Sequence, residues 1–282
     1  MGNDQFDWVE EARDLSKAAR SDAEFYEMAA EELLDPAHRL VVDFACGGGG
    51  MAIALAATAR RRRQDVTVMG VDAHPEVYAD AAGAHPDITF VEGTFETGAT
   101  KLRQVIGGAP DLIWARGAVH HADDEQAALD TLAATLAPGG VLAIAEGGTT
   151  AAHLPAHLGI GEPGLHSRLN AATHRHARRK LSKLKPMPYG WGVGLRNAGL
   201  VETRTRNILV DKPAPLEGAD LDFVIGKFAK QLGWAREFLD ADDIAAWERL
   251  LDPDDTAWLG HRDDLFYLAA ASIHIGEKPL EG

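Results

Sequence analysis

The sequence predicts an α/β fold, a mostly parallel sheet with helices on both faces. Three observations predict it. From Arg39 to Gly147, short apolar runs alternate with helix-period segments. Those runs are apolar at consecutive positions, as in strands buried on both faces. The first run ends in an acid, a cysteine and four glycines, VVDFACGGGG, and leads directly into a helical pattern.

Each element follows in order. Between residues 5 and 34, aromatic and aliphatic residues recur at helical spacing (Phe6, Trp8, Val9, then Phe25, Met28, Leu33). This predicts one or two N-terminal helices, ended by Asp35-Pro36. RLVVDFA is a strand and MAIALAATARRRR a helix; VTVMGVD is a strand, PEVYADAAGAH a helix and ITFVEG a strand. DLIWAR is the next strand, DEQAALDTLAATLA a helix and GGVLAIAEG a strand.

Beyond Ala151 the rhythm changes. A long His-rich and basic stretch is helical in its second half, WGVGLRNAGL is a helix closing at Gly199, and VETRTRNILV is a strand. Leu221 to Leu251 is mostly helical, and RDDLFYLAAASIHIG makes a final strand. Insertions late in an α/β chain, near the carboxyl ends of strands, are where substrate lids sit. The expected organisation is one catalytic domain: an N-terminal helical cap over 1–36, a core over 37–150, a lid insertion over 151–186, and the rest of the core over 187–282, itself interrupted by a helical insertion at about 214–258.

Composition bounds the function. With 282 residues and 46% hydrophobic content, the chain can bury a sizeable core. Lys plus Arg number 28 against 43 Asp plus Glu, a formal charge of −15, so a nucleic-acid partner is not expected. The basic runs Ala59–Arg63 and His174–Lys185 read as a helix end complementing its dipole and a solvated helix face. No run of about 18 apolar residues predicts a membrane span, and the acidic start MGNDQFDWVEEARD does not read as a secretory signal. Met1-Gly2 is discounted as a myristoylation start because Phe6 stands where Ser or Thr is needed. A cytoplasmic location is the default, and a homodimer is a compatible assembly.

The glycines carry the first chemical signal. A tight turn at a strand's carboxyl end lets a ligand lie against bare backbone at a helix N-terminus. Gly47, Gly49 and Ala52 satisfy the G-x-G-x-x-A dinucleotide pattern. Asp72, at the end of the second strand, is placed to accept hydrogen bonds from ribose hydroxyls; the alternative is a cap for the helix at Pro75. The ligand is then an adenosine derivative, with NAD and S-adenosylmethionine both open.

The segment DLIWARGAVHHADDEQAALDTLAATLAPGGVLAIAE resembles the class I S-adenosylmethionine-dependent methyltransferases. His120-His121 stand in the loop after the strand, and Leu136-Ala137-Pro138-Gly139-Gly140 form the L-x-P-G-G turn. Asp43, Cys46, Gly47 and Gly49 match the family's V-L-D-x-G-C-G-x-G motif. Ala45 departs from its first glycine, a swap a methyl group allows if φ is negative. The resemblance covers about Leu40 to Glu146 and implies a Rossmann-like seven-stranded, mostly parallel sheet with helical lid insertions.

The same resemblance implies the site. Asp43 and the backbone from Ala45 through Cys46 and Gly47 to Gly49 would hold the methionine part of S-adenosyl-L-methionine. Asp72 would hold the ribose, with Ala73 or His74 beside the adenine. Thr94 stands where the family often has Asp, and Phe95 would stack on the ring. Arg116 and Gly117 would lie next to the sulfonium and the acceptor.

Methyl transfer from a sulfonium is mostly a matter of alignment; His120 or His121 could serve as a base where the acceptor carries a proton. His153 and His157 are four apart, but Pro155 lies between them and no carboxylate partner is evident, so no metal is expected and both read as pocket-lining. Cys46 reads as a packed thiol of the cofactor loop. The six Trp read as mostly core, with one or two walling the substrate.

The function expected is methyl transfer to a small molecule, on oxygen first and in secondary metabolism, with no nucleic-acid or membrane partner. The alternatives are a cofactor-binding fold acting as a non-methylating cyclase or scaffold, and an NAD-dependent oxidoreductase.

Overall fold

The computed structural model describes residues 8–180 and 184–280, with side chains from residue 12 to residue 179 in the first stretch; Phe6 and the side chains of Trp8 and Val9 lie outside that description. The chain divides into two compact units. The first comprises 1–147, 184–208 and 271–282, the second 148–183 and 209–270.

In chain order the elements are α1 (Trp8–Ser21), α2 (Ala23–Leu33), β1 (Leu40–Phe44), α3 (Gly50–Arg62), β2 (Thr67–Asp72), α4 (Pro75–Ala84), β3 (Thr89–Glu92), α5 (Ala99–Ile106), β4 (Leu112–Arg116), α6 (Glu125–Thr135), β5 (Val141–Gly148), α7 (Leu165–Lys180), α8 (Trp191–Asn197), β6 (Val201–Lys212), α9 (Gly218–Ala235), α10 (Ala241–Leu251) and β7 (Tyr267–Glu277). The alternation predicted from sequence is reproduced element by element, with one addition. Helix α5, eight residues between Gly98 and Gly107, buries only Leu102 and Ile106; two apolar positions four apart are too little periodicity to detect.

The seven strands form one sheet in the order β3-β2-β1-β4-β5-β7-β6. Pairing is parallel for β1 with β2 and β4, for β2 with β3, and for β4 with β5. The exception is β7: the Lys278 amide, just past its end, donates to the Gly140 carbonyl just before β5, so the two strands run in opposite directions. The α/β sheet is thus the mixed seven-stranded, Rossmann-like fold expected.

Successive strand residues point to opposite faces, and both faces are buried. Val42, Phe44, Val71, Ile113 and Ile144 join one core with Leu102 of α5 and Leu129 and Leu132 of α6. On the other face Trp114 packs its ring 6.0 Å from Phe25 of α2. The arginines ending α3 fasten that layer: Arg61 and Arg62 pair with Glu31 of α2, and Arg62 also donates to the Leu34 carbonyl.

The second unit has its own core. Leu165, Leu169 and Ala172 of α7 meet Val224, Phe228 and Leu232 of α9 and Trp247 and Leu250 of α10. Arg168 clamps α7 to α10 with two bonds to Asp243, at 2.6 and 2.7 Å. Among the described residues no helix is long and apolar enough to cross a membrane.

Candidate active site

The four glycines after β1 divide into two kinds. Gly47 and Gly49 have φ of +47° and +75°, the left-handed region that favours glycine. Gly48 and Gly50 are instead places of close approach. A Cβ on Gly48 would meet the Leu15 carbonyl oxygen at 2.8 Å, and one on Gly50 would meet the Tyr26 ring at 2.5 Å. Helices α1 and α2 therefore lie directly against the turn.

Ala45 overturns one expectation. Its φ is +54°, not negative, so the residue replacing the motif's first glycine keeps a glycine conformation. The two residues that follow are anchored to β2: Cys46 N–H donates to the Val71 carbonyl at 3.0 Å, and Gly47 N–H donates to Asp72 at 2.9 Å. Cys46 is buried, packed with Val77 and Tyr78, and burial pushes its thiol pKa up, with Asp43 and Asp72 adding to the shift.

Two acids stand at the carboxyl ends of β1 and β2. Asp43 is 3% exposed and accepts the Ala52 amide of α3 at 2.9 Å. Burial, opposed by that bond and reinforced by the charge of Asp72, pushes its pKa up to about 7. Asp72 does not cap α4. One oxygen accepts Gly47 N–H and the other accepts His74 N–H at 3.2 Å. Each carboxylate oxygen has two lone pairs, so one on each remains after these bonds. The Gly93 amide donates to the Asp72 carbonyl, which brings Thr94 and Phe95 alongside.

Thr94 caps a 3₁₀ turn over Phe95–Thr97, its amide donating to the Thr97 hydroxyl at 3.0 Å. The Phe95 ring lies 5.0 Å from that of Phe44. Ala73 and His74, both half-buried, connect β2 to α4. The side chain of Arg116 turns to the N-terminal helices: it pairs with Asp22 at 2.9 Å and sits 4.5 Å from the centre of the Phe25 ring and 5.0 Å from that of Tyr26. Gly117 takes φ of +59° and donates to the Ala145 carbonyl.

His120 lies in a short 3₁₀ turn, Val119–His121, and its Nδ1 is 2.8 Å from Oε2 of Glu146. The other oxygen of Glu146 accepts the amides of Ala118 and Val119 at 2.9 and 2.8 Å. One buried carboxylate at the end of β5 thus fixes both the loop and the ring. The bond to Glu146 raises the His120 pKa against the opposing pull of burial. His121, exposed, places its ring 4.0 Å from that of His120, tilted by 42°. The sequence reading missed Glu146; its only signal is an acid closing an otherwise apolar strand, AIAE.

His153 and His157 fall in a stretch without helix, so their spacing of four does not put them on one face. His153 is buried and His157 exposed. Of the tryptophans, Trp114 and Trp247 are core, while Trp234 is 43% exposed and stacks on His176.

A strand order with β7 inserted antiparallel, a glycine turn after β1 and acids closing β1 and β2 define a class, and similarity to known proteins agrees. Residues 42–142 match the family described as "Methyltransferase domain". The chain is 33% identical over 108 residues to a trans-aconitate 2-methyltransferase of Methylobacterium radiotolerans, covering 38% of each chain. It is 35% identical over 119 residues to one of Variovorax paradoxus, covering 41% of this chain and 42% of that one. The chain thus matches about two-fifths of the length of these curated relatives. Among solved structures, the methyltransferase of Haloferax volcanii in complex with the Trm112 methyltransferase activator superposes with a TM-score of 0.52 at 19% identity, covering 99% of this chain and 100% of that one; that likeness concerns the fold. Over residues 42–142 the chain thus resembles a methyltransferase domain.

Proposed function

We propose that this protein transfers a methyl group to an oxygen of a small-molecule acid. The observation that carries the reading is the Glu146–His120 pair at the carboxyl ends of β5 and β4.

The acids at the glycine turn fit the donor. S-adenosylmethionine supplies a methyl group on a sulfonium and carries an ammonium and ribose hydroxyls, which suit a pocket with two acids. Asp43 and the backbone from Ala45 to Gly49 would hold its methionine part, and Asp72, with its remaining lone pairs, the ribose. Ala73, His74, Thr94 and Phe95 would border the adenine.

The acceptor oxygen is assigned from His120. With Nδ1 engaged by Glu146, Nε2 is the nitrogen that meets the acceptor. Glu146 keeps the ring in its imidazolium form to higher pH than an exposed histidine, which suits an anion better than it suits proton abstraction. A carboxylate needs no base, and trans-aconitate, named for both curated relatives, is the first acceptor to try. Gly117 would leave the acceptor room.

The test is a labelled methyl-donor assay with a panel of organic acids, amines and phenols. Label appearing in a base-labile ester supports the reading. Transfer only to nitrogen or carbon, or no calorimetric binding of S-adenosylhomocysteine, would sink it.

A further inference from the structure

A cluster in the second unit lies outside the residues assigned so far. His153, 1% exposed, has its Nε2 3.2 Å from Nζ of Lys227. An ammonium only donates, so Nε2 accepts and the proton of the neutral ring sits on Nδ1. Among the described residues that buried Nδ1 makes no hydrogen bond, and neither does the buried Nε2 of His166. The two rings are 5.5 Å apart. Phe228 stands edge-on to both, at 5.3 and 5.2 Å, and Tyr267 lies 5.1 Å from His153. Burial first and the Lys227 charge second bring the pKa of His153 down to about 3 and that of His166 to about 4, with a weak backbone interaction at Phe266 opposing the former.

A buried polar group without a partner costs about 1–3 kcal/mol, and two in contact beside an ammonium are a poor solution for a core that leucine could fill. What they lack is an acceptor. A metal is the wrong occupant: His153 already accepts from an ammonium, and no three of His, Cys, Asp and Glu cluster for a metal among the described residues. Ring nitrogens donate in the ring plane, and two such donors with Phe228 edge-on to both rings suit two coplanar oxygens better than a tetrahedral anion.

We infer that His153, His166 and Lys227 form a binding site for the carboxylate of a small organic acid. The binding does not rest on the function proposed above.

The experiment is calorimetric titration of citrate into the full-length chain without methyl donor, at constant ionic strength, with phosphate as the tetrahedral control. Citrate binds the wild type, and Lys227→Met and His166→Phe each weaken it by about tenfold or more, the loss expected for one charge-assisted bond. Because His153 is buried, it is followed in place: its Nδ1 resonance moves when citrate is added. The site is refuted by absent citrate binding, by folded variants that bind citrate as the wild type does, or by phosphate binding equally well. S-adenosylhomocysteine titrated into the same samples binds wild type and variants alike; its failure to bind the wild type would strike the methyltransferase reading and leave the citrate result standing.

Discussion

Ala45 holds a φ of +54° that costs an L residue about 1–2 kcal/mol. Ala45→Gly removes that strain and gives back part of it as unfolded-chain entropy, so the variant gains about 0.5–1 kcal/mol in urea unfolding. Asp43 has the opposite character. Its carboxyl, ordinarily near 3.8, is pushed up to about 7, so the folded state keeps a proton that the unfolded state releases. Stability therefore falls as pH rises between those values, and Asp43→Asn flattens that part of the profile in denaturant melts from pH 4 to 8. At His120 the raised pKa means the imidazolium pair with Glu146 stabilises fully below the ordinary histidine value of 6.5 and is lost as pH rises through the folded value. Glu146→Gln keeps an oxygen for the Ala118 and Val119 amides and removes the charge. NMR titration should then give a lower His120 pKa, and an unchanged one would remove the basis for an imidazolium role.

Among the elements, α1 is the one the glycines reveal. A Cβ at Gly48 collides with the backbone of Leu15 and Ser16, so Gly48→Ala dislodges α1, with a loss of about 1–3 kcal/mol and faster amide exchange over residues 8–21. Gly83 is the control: a Cβ there meets nothing within 4 Å, and Gly83→Ala in α4 gains about 0.5–1 kcal/mol. The alternation of strands and helices was legible because consecutive apolar residues and helical spacing are local patterns. Helix α5 was not, since its burial rests on Leu102 and Ile106 alone. The backbone strain at Ala45 was hidden because it sits where the chain is anchored to Val71 and Asp72, which come from the next strand. Glu146 was missed for the same reason: an acid at the end of β5 gains meaning only when the fold brings His120 to it, 26 residues away in sequence.

On the scale of the whole molecule, each unit has a core of its own, so ligands and mutations acting on one leave a separable trace. Arg168→Ala strands the buried Asp243 carboxylate and costs the second unit about 2–4 kcal/mol; exchange-resolved unfolding should place the loss in 148–183 and 209–270. The chain also holds a single cysteine, buried within the glycine turn. It can trade its proton for a disulfide reagent only when that turn opens, so the labelling rate of the unmodified protein is a clock for the opening. No engineered probe is required, and the clock slows when a donor closes the turn and runs fast in Gly48→Ala.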